Sequence, residues 1–206
     1  MSVLAQKNIL IGVSGGIAAY KIPLLIRQLV KLNSNVKVVM TPSSKDFVTP
    51  LTLSTVSKNE VFSEFTNDKN SNPTWNNHVE LADWADIFII APATSNTISS
   101  MSSARCDNLL LACYLSSKCP VFVAPAMDLE MYKNTLNQKN IKKLITNNTY
   151  VLPVGNGSLA SGIKGEGRML EPVEIIEYVE NKFKETLPLN SLNFLITAGP
   201  THEKID

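Results

Sequence analysis

The sequence contains few of the residues that mark exported, metal-binding or redox proteins. Its 206 residues include three cysteines and two histidines, and no two cysteines have the Cys-x-x-Cys spacing of a metal or redox site. Three cysteines cannot all form disulfides, so we expect a protein of the reducing cytoplasm. No signal-peptide core precedes the first apolar run, which begins at Asn8 and predicts a strand.

Strong net charge and long apolar runs are also missing. The formal net charge of +1 gives no electrostatic footprint for nucleic acid or an acidic membrane. No apolar run approaches the ~18 residues of a spanning helix. With 44% hydrophobic residues, the chain can form a sizeable core that needs no disulfide or metal. Small soluble molecules are therefore the expected partners, and we predict no metal site.

Short apolar runs that predict strands alternate with segments of helical spacing. The predicted strands span residues 8–13, 36–40, 86–91, 121–124 and 150–154, and predicted helices span 107–116, 134–147 and 171–185. Ile22, Leu25 and Leu29 predict another helix after the first strand, in which Pro23 should kink the helix or displace its first turn. This alternation predicts an α/β fold, a doubly wound parallel sheet of Rossmann-like type.

Polar and glycine-rich segments predict the loops. Residues 66–76 are almost wholly polar, which favours a surface loop. Residues 155–168 contain five glycines, and we expect a flexible loop whose backbone can approach a ligand. Residues 188–191 predict a linker, and residues 192–198 predict a further strand that begins a second unit.

A glycine turn joins the first predicted strand to the first predicted helix. Ser14, Gly15, Gly16 and Ile17 lie at this turn, where free backbone N–H groups can hold a phosphate. From these residues alone, a phosphate site and a merely tight turn are equally good interpretations. The turn lacks the full Gly-x-Gly-x-x-Gly pattern, and Thr41 rather than an acidic residue follows the second strand. Both features favour a mononucleotide.

Residues 76–97 join a histidine, a buried strand and a polar turn. His78 could accept a proton near neutral pH, although a lone histidine in a polar loop is more often only solvated. We expect Pro92 to end the strand over 86–91. Uncharged donors and acceptors follow at the edge where open α/β sheets bind ligands: Thr94, Ser95, Asn96 and Thr97. Such residues are also ordinary helix caps, and both interpretations stay open.

The pairing of HVELADWAD (residues 78–86) with APATSNT (residues 91–97) resembles the flavin-containing cysteine decarboxylase family, specifically the phosphopantothenoylcysteine decarboxylases of coenzyme A synthesis. The resemblance covers residues 7–185. It implies FMN-dependent conversion of 4'-phosphopantothenoylcysteine into 4'-phosphopantetheine. It also implies a homo-oligomer built of trimers, up to a dodecamer, with FMN at subunit contacts.

The last residues carry a second resemblance. LNFLITAGPTHEKID (residues 192–206) resembles the start of the phosphopantothenoylcysteine synthetase domain, which many bacteria fuse behind the decarboxylase. We therefore expect an FMN-dependent decarboxylase domain over residues 1–187, and a linker with the truncated start of a synthetase domain over residues 188–206. Ligase activity is expected only of a full-length bifunctional protein.

The resemblance assigns roles to matching positions. His78, Asp128 and Ser161 occupy the implied catalytic positions. The implied FMN contacts are Ser14, Gly15, Gly16, Ile17, Thr41, Ser43, Thr94, Ser95, Asn96, Thr97 and Ala126. The implied substrate contacts are Asn77, Asp128, Met131, Ser158, Ala160, Arg168 and Met169.

Two positions depart from the family pattern. Asp128 stands where the family usually has an asparagine that binds the substrate carboxylate, and two carboxylates repel unless one is protonated or a cation lies between them. Ser161 stands where the family usually has a cysteine that donates a proton while the enethiol intermediate is reduced. A hydroxyl is a far weaker acid, so we expect it to relay a proton. We expect Cys106, Cys113 and Cys119 to be small buried apolar groups, with Cys106 as the alternative thiol.

Three other functions share parts of this pattern. A peptidyl-cysteine decarboxylase would use the same motifs on a peptide, and the synthetase-like residues 192–206 argue against it. A flavin prenyltransferase has a related FMN fold but would not carry HVELADWAD. A non-catalytic FMN-binding regulatory subunit is compatible with the missing thiol at Ser161.

Overall fold

The structure is a computed structural model that describes residues 2–67, 74–145 and 149–186, together with residues 195, 197 and 199. The strands are β1 (Asn8–Val13), β2 (Asn35–Met40), β3 (Val61–Phe62), β4 (Thr66–Asn67), β5 (Thr74–Trp75), β6 (Ile87–Ala93), β7 (Val121–Pro125), β8 (Thr149–Val151), β9 (Gly155–Ser158) and β10 (Lys164–Arg168). The helices are α1 (Ile22–Lys31), α2 (Pro50–Ser57), α3 (His78–Trp84), α4 (Ser95–Ser102), α5 (Leu109–Ser116), α6 (Leu129–Lys133), α7 (Thr135–Ile145) and α8 (Pro172–Thr186).

Six strands form one parallel sheet in the order β3-β2-β1-β6-β7-β8. The strand order reverses between β1 and β6, so the connections after these two strands leave toward opposite faces. The carboxyl edge at such a reversal is the usual ligand site of a doubly wound sheet. This topology confirms the predicted fold class and places the ends of β1 and β6 side by side.

The two faces of the sheet bury separate apolar clusters. Side chains alternate along a strand, so Ile9 and Ile11 of β1 pack on one face, while Leu10 packs on the other. Helices α1, α2 and α8 cover the first face, and helices α3, α4, α5 and α7 cover the second. The protein is thus a three-layer α/β/α sandwich. In the part of the chain that the structure describes, no helix is long and apolar enough to cross a membrane.

Prolines lie at the starts of three helical segments, and the effect of Pro23 on the first of them was predicted. A 3-10 helix over Ile17–Lys21 precedes α1, and Pro23 lies in the first turn of α1, so the start of the α-helix is displaced. A second 3-10 helix, Pro42–Asp46, follows Thr41. The side chain of Thr49 accepts a hydrogen bond from the Thr52 N–H at 3.1 Å and caps α2.

Three predicted segments were wrong in extent or type. Strand β6 does not end before Pro92 but includes it, because the pairing with β7 shifts register between Ile90 and Ala93 and no ladder N–H is needed there. Strand β8 is shorter than predicted and ends at Val151. Residues 155–168 are not a flexible loop: β9 and β10 pair as an antiparallel hairpin, and Gly165 and Gly167 let this hairpin pack closely against Leu129 and Met127.

Other predictions fall partly outside the described residues. The predicted loop over 66–76 contains a short antiparallel pair, β4 with β5, and residues 68–73 lie outside the described residues. Most of residues 187–206 also lie outside them, so the linker, the strand over 192–198 and the second domain stay predictions.

We expect Leu10→Ala to lower the free energy of unfolding by about 2–5 kcal/mol, because Leu10 is fully buried at the centre of the sheet and its removal leaves a cavity. Urea unfolding of both proteins measures the difference. Leu51→Ala is the matched control: Leu51 is 76% exposed, and we expect a change within about 0.5 kcal/mol. Equal losses in the two variants would contradict the assigned burial of β1.

Candidate active site

Ser14 ties the end of β1 to the end of β6. Its hydroxyl donates to the Pro92 carbonyl at 2.6 Å and accepts from the Thr94 N–H at 3.1 Å. The side chain is buried, so these bonds also satisfy a hydroxyl that water cannot reach. The predicted FMN contact at Ser14 therefore lies beneath the site, where the hydroxyl joins two turns.

The glycine turn makes a close approach to the loop after β2. A Cβ on Gly15 would lie 2.5 Å from the Ser43 hydroxyl oxygen and 3.0 Å from the Ser43 backbone carbon. A Cβ on Gly16 would lie 3.2 Å from the Thr94 methyl group. A side chain at Gly15 would therefore displace the Ser43 loop, whereas one at Gly16 would make a single tight contact. Free N–H groups of the Gly15–Gly16 turn and the hydroxyls of Ser43 and Thr94 form a donor set suited to a phosphate.

The polar residues after β6 begin helix α4, which agrees with the helix-cap interpretation. Thr94 is the N-cap of α4 and accepts from the Thr97 N–H at 3.4 Å, while its hydroxyl lies 3.2 Å from that of Thr97. The Ser95 hydroxyl donates to Asn137 at 2.7 Å. Thr94 also lines the cavities described below, so capping and ligand contact are both open to it.

Two adjoining cavities surround these turns. The larger has a volume of about 600 Å³ and the smaller about 350 Å³, and both are lined by Gly15, Thr94 and Asn96. The predicted residues that line the larger cavity are Gly15, Gly16, Ile17, Thr94, Ser95, Asn96, Ala126, Asp128, Met131, Ser158, Ala160, Ser161, Arg168 and Met169. Those that line the smaller one are Gly15, Thr41, Ser43, Thr94, Asn96 and Thr97.

The β9–β10 hairpin forms one wall of the larger cavity. A Cβ on Gly167 would overlap the Met127 carbonyl oxygen, and a Cβ on Gly165 would lie 2.8 Å from the Leu129 side chain. Gly167 has a φ of 125°, which disfavours other residues. The Met127 N–H donates to the Gly167 carbonyl at 3.0 Å. The hairpin is therefore docked against the start of α6, with Ser161 near its tip.

Asp128 and Ser161, the two departures from the family pattern, border the same cavity. Asp128 is the N-cap of α6, and its Oδ1 accepts from the Leu129 N–H at 2.7 Å. The side chain is half-buried, with part of its surface on the cavity. Capping and ligand contact coexist here as well, since a carboxylate has several acceptor sites.

No cysteine is among the described residues that line either cavity. Cys106 is exposed, so its prediction as a buried apolar group was wrong: it lies in the turn before α5. Cys113 is buried, and burial raises the pKa of its thiol to about 12. Burial also raises the pKa of Cys119. Within the described ranges, no cluster of three or more His, Cys, Asp or Glu side chains could hold a metal ion.

His78 lies in a helix and away from the cavities. It is the first residue of α3, not part of a polar loop, because Asn77 caps this helix: the Asn77 Oδ1 accepts from the Val79 N–H at 3.0 Å. The ring makes edge contacts with Phe65 and Trp75. Its Nδ1 is buried and has no partner among the described residues. Neither Asn77 nor His78 is among the described residues that line the cavities.

The sequence analysis missed Lys21. This lysine is 3% exposed and lines the larger cavity, where its Nζ donates to the Met169 carbonyl at 2.9 Å and to Glu171 at 2.8 Å. The sequence pattern does contain a signal for it: Lys21 precedes Leu25 by four residues, so the helical spacing that predicts α1 places Lys21 on the buried face, just before α1 begins. Other unpredicted lining residues are Ala18, Tyr20, Met127, Leu159 and Gly167.

The sequence matches the family described as Flavoprotein over residues 2–184. The chain belongs to the flavoprotein family. Its relatives include the coenzyme A biosynthesis bifunctional protein CoaBC of Bacillus subtilis (strain 168), 40% identical over 99% of this chain and 50% of that protein. The chain spans about half the length of the curated relatives it matches.

Solved structures of flavoproteins have the same fold. A cysteine-to-serine mutant of PPC decarboxylase complexed with pantothenoylaminoethenethiol matches with a TM-score of 0.76 and 31% identity, over 88% of this chain and 100% of that one. The FMN binding protein AtHal3 matches with a TM-score of 0.73 and 31% identity, over 88% of this chain and 99% of that one. The glycine turn and its hydroxyl neighbours fit the phosphate of a flavin mononucleotide, because they offer uncharged donors around the smaller cavity.

We expect Gly15→Ala to weaken flavin binding at least about tenfold, because the new methyl group must push the Ser43 loop away from the glycine turn. Flavin fluorescence titration of the unloaded protein gives the dissociation constants. Gly155→Ala is the control, since its methyl group would have ordinary contacts at 3.5 Å or more. A Gly15→Ala protein with wild-type flavin affinity would contradict the phosphate site.

Proposed function

We propose that the chain is an FMN-dependent decarboxylase that converts 4'-phosphopantothenoylcysteine into 4'-phosphopantetheine during coenzyme A synthesis. The observation that carries this proposal is the match of a PPC decarboxylase over its whole length, joined to a cavity at the strand-order reversal whose lining holds the implied site residues. The CoaBC relatives support the same pathway.

The chain's own residues hold the cofactor and the substrate. The Gly15–Gly16 turn, Ser43 and Thr94 would hold the FMN phosphate, and the smaller cavity would take part of the cofactor. When bound, FMN supplies two-electron oxidation of the cysteinyl CH2–SH group and the later reduction of the enethiol. The β9–β10 hairpin limits water access to the larger cavity, where Asp128 and Ser161 meet the substrate.

His78 is not among the described residues that line this cavity, and we propose that a second copy of the chain brings its own His78 there. Trp75 and Val79 are exposed apolar residues on either side of His78, and Ile17 and Tyr20 are exposed beside the larger cavity. Apolar surfaces of this kind favour subunit contacts. A trimer in which the His78 surface of one copy docks at the cavity of the next would complete each site. His78 would then move a proton during decarboxylation.

We expect His78→Asn to lower decarboxylation by roughly 100- to 10,000-fold without loss of bound FMN, because it removes only the titrating group. The His78→Asn and Gly15→Ala proteins are then unfolded together and refolded as a mixture at an FMN concentration that fills the wild-type site but leaves the Gly15→Ala site largely empty, and CO2 release is assayed. If sites lie between subunits, a site is restored when its cavity comes from a His78→Asn chain and its histidine comes from a Gly15→Ala chain. Each condition is met in half of the sites after random mixing, so about a quarter of the sites regain both intact parts.

Refolded single variants serve as controls for this mixing test. A mixture no more active than the two separate proteins would contradict the shared site. Near-normal turnover by His78→Asn alone would show that His78 transfers no proton and has only a structural role at the start of α3.

We expect Asp128→Asn to uncouple the two halves of the reaction, so that CO2 and enethiol appear with little saturated product. Reduction of the enethiol needs a proton beside the hydride, and Asp128 is the one carboxyl group among the described residues that line the cavity and could pass a proton to Ser161. Adding Ser161→Cys to this variant should restore 4'-phosphopantetheine, because a thiol can donate directly.

Product mass spectrometry distinguishes the enethiol from the saturated thiol in both variants. Wild-type output of 4'-phosphopantetheine from Asp128→Asn alone would show that Asp128 supplies no proton. Flavin-loaded protein that releases no CO2 from this substrate would instead favour the non-catalytic regulatory subunit, the alternative that Ser161 supports.

The wider setting of the chain is also a proposal. We infer a decarboxylase domain over residues 1–187, followed over residues 188–206 by a linker and the start of a synthetase domain, because the CoaBC relatives extend to about twice this length. The three free cysteines support a reducing cytoplasm. Ligase activity would belong to the longer protein alone.

A further inference from the structure

Two cationic side chains, Lys21 and Arg168, are among the described residues that line the larger cavity. The Lys21 side chain is only 4% exposed, and its Nζ is bonded to the Met169 carbonyl and to Glu171 Oε1. The Arg168 side chain is 39% exposed, and its Nη2 donates to the same Glu171 Oε1 at 2.9 Å. One carboxylate oxygen therefore joins a buried ammonium to a guanidinium on the cavity wall.

Arg168 is held in position but keeps donors available. Its side chain runs along β9, where a Cβ on Gly157 would lie 3.6 Å from the Arg168 Cδ and 3.7 Å from Nη1. A guanidinium has five N–H donors, and among the described residues only the Nη2 bond to Glu171 uses one. A fixed planar group with free donors is suited to a carboxylate or a phosphate.

Glu171 is fixed from two directions. The hydrogen bond from Lys21, followed by the one from Arg168, holds the pKa of Glu171 below its usual value, so the carboxylate stays charged at neutral pH. Its backbone N–H donates to Glu174 at 2.7 Å at the start of α8. Lys21, in turn, ends the 3-10 helix that follows the glycine turn. Contacts through Glu171 and Lys21 therefore connect the Arg168 guanidinium to the same turn that would hold the cofactor phosphate.

The resemblance implies that Arg168 contacts the substrate, and we propose that the group it binds is an anion of that substrate and that Glu171 and Lys21 position its guanidinium. The identity of this anion rests on the proposed function: 4'-phosphopantothenoylcysteine carries a phosphate at one end and a carboxylate at the other, and both match a guanidinium. Arg168 also offsets the repulsion that Asp128 exerts on an anionic substrate in the same cavity.

The first test does not need the reaction. Thermal unfolding of FMN-loaded protein is followed as inorganic phosphate or acetate is added at constant ionic strength. A ligand that binds only the folded protein raises Tm. We expect at least one of the two anions to stabilise the wild type and Arg27→Gln, an exposed control on α1, more than Arg168→Gln. Equal shifts in all three proteins with both anions would overturn the proposal.

The second test identifies the anion. Initial rates are measured with 4'-phosphopantothenoylcysteine and with its dephosphorylated form. Loss of charge-assisted hydrogen bonds in Arg168→Gln should raise KM by about 10- to 100-fold, with a smaller change in kcat and partial recovery in Arg168→Lys. If the KM of Arg168→Gln rises only for the phosphorylated substrate, Arg168 binds the phosphate. If KM rises equally for both substrates, Arg168 binds the carboxylate. Weaker FMN binding with unchanged KM would overturn the proposal, because the anion would then be that of the cofactor.

The positioning role is tested with Glu171→Gln and Lys21→Met. Both should raise KM in the direction of Arg168→Gln while FMN content stays at the wild-type level. Glu185→Gln, which removes a surface ion pair with Lys182 on α8, is the matched control and should leave KM unchanged. If kcat, FMN content and stability all fall while KM stays unchanged, Glu171 and Lys21 only stabilise the fold. That result would overturn their proposed role in positioning Arg168.

The two proposals can fail separately. If the wild-type protein binds phosphate or acetate through Arg168 but releases no CO2, the proposed decarboxylation is contradicted and the proposed anion site is supported. Protein that releases CO2 with no Arg168 effect on KM or anion binding would leave the decarboxylation and remove the anion site.

Discussion

The candidate site depends on the hydrogen bonds that Ser14 makes with the end of β6. Its hydroxyl is bonded to the Pro92 carbonyl and to the Thr94 N–H, which holds the turn after β1 beside the first turn of α4. A buried hydroxyl or N–H without a partner costs about 1–3 kcal/mol, so the two strand ends cannot separate without a penalty. Each further feature of the cavity is built on this junction.

The second requirement of the site is close packing at glycines, where the missing Cβ lets neighbouring segments approach. Gly15 allows the Ser43 loop to approach, and Gly167 allows the hairpin to dock on the Met127 carbonyl. The first contact creates a small donor-rich space, and the second brings Ser161 and Arg168 to the wall of a larger one. A phosphate-sized site and a substrate-sized cavity therefore adjoin, which suits a cofactor that must touch its substrate.

The two cationic side chains of the site differ in how many of their donors are already used. Lys21 is buried and saturated by Met169 and Glu171, so it acts on the structure, whereas Arg168 reaches the cavity with donors to spare. His78 lies outside, between the aromatic rings of Phe65 and Trp75. A single chain thus holds the binding half of the proposed site and presents the proposed acid/base residue, His78, on another surface, which is the reason we infer assembly.

The sequence alone determined the fold class and most of the cavity lining. Strand-like apolar runs and helical spacing predict the parallel sheet, and the carboxyl ends of its strands locate the Gly15 and Thr94 turns, because these signals are local.

Tertiary structure decided the rest. The β9–β10 ladder forms only when Gly165 and Gly167 dock on α6, so the same glycines look like a flexible loop in the sequence. The partnership of Lys21 with Glu171 and Arg168 joins residues about 150 positions apart, and the separation of His78 from the cavity depends on how α3 packs. No local pattern encodes either distance, since both arise from the packing of segments that are remote in the chain.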